Sequence, residues 1–371
     1  MATGNPNEDP AIEGLLADSE IFWRDHYHWL LERGYQLRSR YEPNWTPSWK
    51  GTKKEWFECS DGLMPSHSSV LDAQRTSDGE LLMLKRMEKS VYPQEIEIGQ
   101  MFSAAPLAND PRNHCVPIYE VLQVPKDEDL FILVMPLLKE HDNPRFDTIG
   151  EAVEFFRQIF EGLQFMHKHN VAHRDVTYFN IMMDARPLYQ ERYHPFRQRH
   201  KLDLNGHPKH LTRTLIPVQY YLTDFGLSRK YNPEDCPPME DIIAGGDKSV
   251  PEFMSVDACD PFPVDVYTLG NLIKDNFTHG HKFASARQGF NFMEPLVADM
   301  TQTDPSKRPT MDEAMERFEE IRQGLSSWKL RSRVVKKNDS YVAGFFRGVG
   351  HWWRRVGFVI KRVPPLPTPT T

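Results

Sequence analysis

Three short runs carry side chains that could do chemistry: His173-Arg174-Asp175, then Asn180 five positions after that aspartate, then Asp224-Phe225-Gly226. A carboxylate such as Asp175 can take a proton from a hydroxyl and orient the oxygen for attack. The oxygens of Asn180 and Asp224 suit magnesium, a hard cation that prefers oxygen ligands. Lys85 closes the apolar run Leu82-Met83-Leu84 and can grip phosphate, although a lysine there also suits a solvated strand edge. Taken singly, Asp and Asn are commonly turn and cap residues. Their order and spacing together point to one phosphoryl-transfer site, whose main demands are positioning and charge neutralisation.

From about residue 70 to 325 the chain resembles the eukaryotic protein kinase superfamily. His173 to Asn180 is similar to the catalytic loop H-R-D-x-x-x-x-N, and Asp224-Phe225-Gly226 to the metal-binding turn that follows a strand. Val250-Pro251-Glu252 resembles the end of an activation segment, and Asp304 to Pro309 the late motif whose arginine, here Arg308, pairs with that glutamate. Buried charges need partners, so the two are more telling together than apart. Asp265 to Gly270 resembles a helix start whose aspartate braces the catalytic loop; an ordinary cap is the other reading.

The resemblance implies ATP and magnesium as cofactors and a protein substrate. Asp175 would be the catalytic base, Asn180 and Asp224 the metal ligands, and Lys85 the grip on the α/β-phosphates. Glu95 is the chosen partner of Lys85, with Glu97 as the fallback. Met135 would guard the pocket behind adenine, the Pro136 carbonyl would accept from adenine, and the Leu138 N–H would donate to it. Proline lacks only the N–H, so Pro136 fits an acceptor role. The function implied is transfer of the γ-phosphoryl group to Ser/Thr hydroxyls. The alternative is a pseudokinase, a nucleotide-binding or scaffold module on the same fold. The Glu252/Arg308 pair speaks against a small-molecule kinase.

The pattern departs from the resembled family in three places. Asp61 to Val70 holds one glycine where a glycine-rich loop is expected upstream of Lys85, and one glycine cannot give several close backbone approaches to phosphate. Thr177, Tyr178 and Phe179 stand where an accessory Lys or Arg is usual. Between Asp175 and Asp224 there are 224 − 175 = 49 positions, an excess falling within about 185–217 and rich in Arg and His. His207 and His210 are spaced for metal without supporting Cys or acids; a solvated loop or a docking loop for an acidic partner are the other readings. Arg174 could sense a phosphorylated activation segment, for which Glu240 and Asp241 could supply fixed charge instead.

The elements that must position these residues follow from periodicity. Val70-Leu71-Asp72-Ala73 and Leu81 to Lys85 flank the turn signal Ser77-Asp78-Gly79. Strands are expected at 116–124 and 130–138, and a helix near 93–102 with Ser90 as cap. Gly150 to His169 repeats apolar residues every three or four positions, a helix feeding the catalytic loop. Further helices are expected at 264–277, 289–303 and 310–324. The fold class is α+β: a bilobal protein-kinase-like fold with a small β-rich N-lobe at 67–138 and a large helical C-lobe at 139–328 carrying the insert. Residues 1–66 form an extension with a disordered start and an aromatic helix, and 329–371 a basic tail.

Composition, with 39% hydrophobic and 26% charged residues, fits a soluble globular protein. The four cysteines form no C-x-x-C pair, the start lacks a secretory pattern, and no run approaches the ~20 apolar residues of a spanning helix. An intracellular, cytoplasmic protein is expected, with no nucleic-acid partner. The net charge of −7 hides ten Lys/Arg and one acid from Lys329 to Thr371, a net of +9 against −7 − 9 = −16 elsewhere. Apolar residues recur every three or four positions from Val342 to Val363 among Arg347, Arg354, Arg355, Lys361 and Arg362. Residues 341–363 therefore read as a basic amphipathic helix on a peripheral membrane surface, in a partner's groove, or packed on the large lobe. The Pro-rich end is polyproline-like.

Overall fold

The computed structural model describes residues 14–369 apart from 66, 236, 244–245, 256, 282–283 and 339–340; within 341–349 it gives a side-chain environment only at 348. The expected disordered start at 1–11, Cys236, and the side chains of Val342, Phe345, Phe346, Arg347 and Val349 lie outside the described residues. Contacts divide the chain into two units: one of the described residues up to Val91 with Ile118–Leu138 and Tyr189–His210, the other of Tyr92–Pro117, Lys139–Leu188 and the described residues from Leu211 on.

The first unit opens with helices α1 (Asp18–Asp25) and α2 (Tyr27–Glu32). Strands β1 (Tyr35–Gln36), β2 (Val70–Arg75), β3 (Leu81–Glu88), β4 (Glu120–Gln123) and β5 (Leu130–Pro136) follow, in the sheet order β1-β2-β3-β5-β4 with antiparallel pairs throughout. Side chains alternate across a strand. One face, carrying Leu71, Ala73, Leu82, Leu84, Ile132 and Val134, packs on Trp23, Tyr27, Leu30 and Tyr41. The aromatic stretch before residue 42 is thus part of the sheet's own core. Lys85 falls on the alternate set of β3, between Leu84 and Arg86, opposite Val70 and Leu133.

Two expectations are corrected here. The strand expected at 116–124 begins at Glu120, because Val116 N–H donates to the Leu222 carbonyl and Leu222 N–H to that of His114. Ser90 is no helix cap: its N–H and hydroxyl both donate to the Asp129 carboxylate.

The second unit holds α3 (Glu95–Ser103), β6 (Lys139–Glu140), α4 (Ile149–Lys168), β7 (Val171–Ala172), β8 (Ile181–Met183), β9 (Tyr220–Leu222), β10 (Arg229–Lys230), α5 (Pro261–Ile273), α6 (Glu294–Met300), α7 (Met311–Gly324), α8 (Ser327–Leu330) and α9 (Tyr341–Ile360). Helix α4 is capped by Thr148, whose hydroxyl accepts from Glu151 N–H at 3.1 Å. Its apolar stripe, including Phe155, Phe156, Phe160 and Leu163, is buried, and Phe156 and Phe160 meet Phe318 of α7. Strands β6-β8-β9 form one small sheet and β7-β10 another. These two ladders carry the chemical residues.

Candidate active site

The loop from His173 to Asn180 leaves β7 and enters β8. In the β8–β9 pair Ile181 faces Leu222, so Asn180 and the Thr223-Asp224 turn emerge side by side. Thr223 N–H donates to the Asn180 carbonyl at 2.9 Å. Asn180 Nδ2 donates to Asp175 Oδ2 at 2.7 Å and to the Asp175 carbonyl at 3.0 Å. The other branch of the amide, Oδ1, is then the oxygen available to a cation. Asp224 adopts the left-handed conformation (φ 66°), accepts from Gly226 N–H, and is exposed. An amide oxygen beside an exposed carboxylate is a donor set that fits magnesium.

Three interactions from distant sequence hold this loop. Asp265, fully buried within α5, accepts from the backbone N–H groups of His173 and Arg174, both at 2.7 Å, and pairs with His167 Nε2 at 3.0 Å. The cap of α5 is instead Asp260, which accepts from Phe262 N–H, so of the two readings of Asp265 the brace is the observed one. The Phe225 ring is buried against Phe102 and His173, with centroids 6.4 and 5.8 Å apart. Tyr178 donates to Asp142 Oδ1 at 2.6 Å, and Arg287 Nη2 donates to the same carboxylate at 2.9 Å. Asp142 and Arg287 carried no local signal in the sequence.

Asp175 Oδ1 is buried and has no hydrogen-bond partner. Burial raises the Asp175 pKa, the carboxylates of Asp224 and Asp265 add to the rise, and His173 and Asn180 oppose it. Gly246 (φ +73°) approaches closely: a Cβ there would lie 2.7 Å from Asp175 Oδ1. The double glycine Gly245-Gly246 shortly before Val250-Pro251-Glu252 was the available signal for that approach.

Two arginines hold glutamates that follow Asp224 in the chain. Arg174, also left-handed (φ 67°), lies 3.2 Å from Glu240 Oε2 and donates to the Asp241 carbonyl at 2.9 Å. Arg308 donates to both oxygens of Glu252, at 2.6 and 2.5 Å, and to the Gln302 and Pro263 carbonyls.

The remaining candidates divide between the units. Glu95 begins α3 in the second unit and is buried. Lys85 is half-buried on β3 in the first. Met135 and Pro136 end β5, facing Met83 and Leu82, and Leu138 follows, buried. The Leu138 carbonyl accepts from Gln198 of the insert at 3.2 Å. Residues 189–210 of that insert belong to the first unit, with His194 fully buried and bonded to the Ser60 hydroxyl at 3.0 Å.

The glycine-poor stretch is also relocated. Strand β1 is Tyr35–Gln36, so the β1–β2 connection is the whole of 37–69, with short 3₁₀ turns at Ser39–Tyr41, Trp56–Glu58 and Ser60–Gly62. Arg40, buried, and Arg38, half-buried, are engaged internally: Arg40 by Glu20 and the Asp61 and Leu15 carbonyls, Arg38 by Asp72 and the Ser60 and Leu63 carbonyls.

A model of the protein kinase domain matches residues 66–294. The serine/threonine-protein kinase MAK of Mus musculus is 23% identical over 221 residues, 57% of this chain and 29% of that protein. The serine/threonine-protein kinase pim-2 of Danio rerio is 22% identical over 280 residues, 67% of this chain and 79% of that protein. The carbon catabolite-derepressing protein kinase of Saccharomyces cerevisiae is 28% identical over 130 residues, 32% of this chain and 19% of that protein. The chain thus spans less than a third of the length of the mouse MAK kinase it matches.

Proposed function

The chain belongs to the protein kinase family and has its bilobal fold, and we propose that it transfers the γ-phosphoryl group of ATP to Ser/Thr hydroxyls of a protein substrate. Asp175 accepts the hydroxyl proton, with Oδ2 held by Asn180 and Oδ1 left for the substrate. Asn180 and Asp224 would hold magnesium, whose charge offsets that of the phosphates. Lys85, partnered by Glu95, holds the α/β-phosphates. Met135 shapes the back of the adenine pocket, the Pro136 carbonyl accepts from the base, and the Leu138 N–H donates to it. Glu240 supplies Arg174 with a fixed negative partner, so the enzyme works without phosphorylation of its activation segment.

The observation that carries this reading is the buried, unbonded Asp175 Oδ1 beside an Asn180 amide that fixes the other oxygen. A buried acceptor without a partner costs stability, and such a cost persists where the group serves something that arrives from outside. A second reading, a pseudokinase, is favoured by one observation: residues 37–69 replace the phosphate-covering loop with a segment whose arginines face carboxylates and carbonyls.

One experiment separates the two. The full chain is incubated with γ-labelled ATP, magnesium and a generic protein substrate, beside Asp175→Ala. Transfer that depends on Asp175 establishes the kinase. A magnesium-dependent rise in Tm with ATP and no transfer establishes the pseudokinase. Neither transfer nor shift removes the nucleotide site from the account.

A further inference from the structure

From His351 on, the last helix docks through a side that mixes His351, two arginines and Phe358, and leaves an apolar side outward. At 3.6 residues per turn, His351, Arg354, Arg355 and Phe358 of α9 share one side, and Trp352, Trp353, Val356, Val359 and Ile360 the other. The first set is docked. His351 and Phe358 are buried, and the His351 ring pairs with Asp147 Oδ1 at 3.4 Å and the Arg331 carbonyl at 3.0 Å. Arg354 donates to Asp147 at 2.8 Å. Arg355 donates to the Trp328 carbonyl and lies 3.2 Å from the centre of the Trp328 ring. Beyond the helix, Arg331 donates to the Val363 carbonyl, and the Pro365 carbonyl covers Gly150 so closely that a Cβ there would meet it at 2.0 Å.

The opposite side is open. Trp352 is 53% exposed, Trp353 65%, Val359 54% and Ile360 75%. A helix lying on a globular body ordinarily buries its apolar stripe and shows its charges to water. Here the arginines are spent on Asp147 and Trp328, and the apolar stripe is left outward. Contiguous apolar surface of this kind marks an interaction site.

We propose that this outward face of α9 docks the protein on an anionic lipid surface. Paired tryptophans suit the boundary between headgroups and acyl chains. Lys361 and Arg362, both exposed, follow the stripe directly, and Asp339 is the only acid from Lys329 to Thr371. That charge is complementary to anionic headgroups and repels the same face of a second copy. Among the described residues no helix is long and apolar enough to cross a membrane, so α9 lies along the surface with its axis in the interface.

The test is co-sedimentation of the full chain with phosphatidylcholine vesicles, with and without phosphatidylserine. Wild type binds the phosphatidylserine vesicles and is released by high salt. Trp352→Ala/Trp353→Ala and Lys361→Ala/Arg362→Ala each weaken partitioning about tenfold or more, with Tm unchanged because the altered side chains are exposed. Vesicle binding is independent of phosphate transfer, so Asp175→Ala binds as wild type does. Absence of wild-type binding to phosphatidylserine vesicles overturns the proposal, as does wild-type binding by the tryptophan variant. Concentration-dependent self-association that the tryptophan variant loses, without vesicle binding, assigns the face to a second copy and overturns it equally.

Discussion

The loop at 173–180 and the β1–β2 connection at 37–69 use polar groups in different ways. In the connection, buried Arg40 and half-buried Arg38 each meet a carboxylate and backbone carbonyls of their own unit: Arg40 with Glu20, Arg38 with Asp72. In the loop, comparable effort goes into holding one carboxylate still. Asp265, Asn180 and the Tyr178–Asp142–Arg287 chain hold the loop around Asp175, while its Oδ1 stays without a hydrogen-bond partner. A segment whose charges meet partners of its own unit serves stability, and a carboxylate held at one oxygen with the other unbonded is placed to receive a visitor. The proposed proton acceptor and metal ligands therefore lie in the second unit, and the connection ties the first together.

That contrast can be broken at several points, beginning with the largest expected effect. Asp265→Ala removes the acceptor of two buried N–H groups, each costing about 1–3 kcal/mol when orphaned. We expect a marked fall in Tm and in phosphate transfer together, partly restored in Asp265→Asn. Arg40→Ala leaves Glu20 buried without its cation, a loss of about 3–5 kcal/mol. Thermal melts should show that loss while the KM for ATP of the folded fraction stays unchanged. A raised KM would make the connection part of the nucleotide site.

Acid should weaken both regions through one buried histidine each. Burial, with nearby arginines, lowers His194 to about 3, and burial lowers His141 to about 4. Both stay neutral in the fold while the unfolded chain protonates them below about 6.5. Their contribution is complete above pH 6.5 and is lost as pH falls from there towards 4, amounting to about 2 kcal/mol each by pH 5. Tm measured from pH 7.5 to 5 should fall accordingly, and less steeply in His194→Gln. The smallest effect expected is at Glu240. Glu240→Ala leaves Arg174 with backbone carbonyls only, those of Asp241 and Leu227, and should lower transfer about tenfold, whereas wild type treated with phosphatase should keep its rate.

The sequence made the chemistry legible where it lies in short contiguous runs. His173 to Asn180 and Asp224 to Gly226 need only a tight local spacing, and the β8–β9 ladder then brings them together. The Glu252/Arg308 pair was readable because each charge demanded a partner. Partners remote in sequence were not: nothing local marks Asp142 or Arg287 as supports of Tyr178. The strand β1 is two residues long, too short for any alternation, so the β1–β2 connection could not be delimited. The helical period of 341–363 was visible, but periodicity only separates two faces. Which face is buried depended on Asp147 and Trp328, whose positions come from the rest of the fold.

The most direct test of the central claim is Asp175→Asn, assayed for phosphate transfer and Tm in the same preparation. The substitution keeps the shape and removes a buried charge whose pKa the fold has raised. A raised pKa means that the folded state pays for the ionised form at neutral pH, so removing the charge relieves that cost. The account predicts transfer reduced by about 10²–10⁴-fold and a Tm above wild type at pH 7.5, the gap closing as pH falls through the raised pKa. Transfer retained by Asp175→Asn, or a lowered Tm, would contradict it and leave the loop as a structural element like the connection beside which it was set.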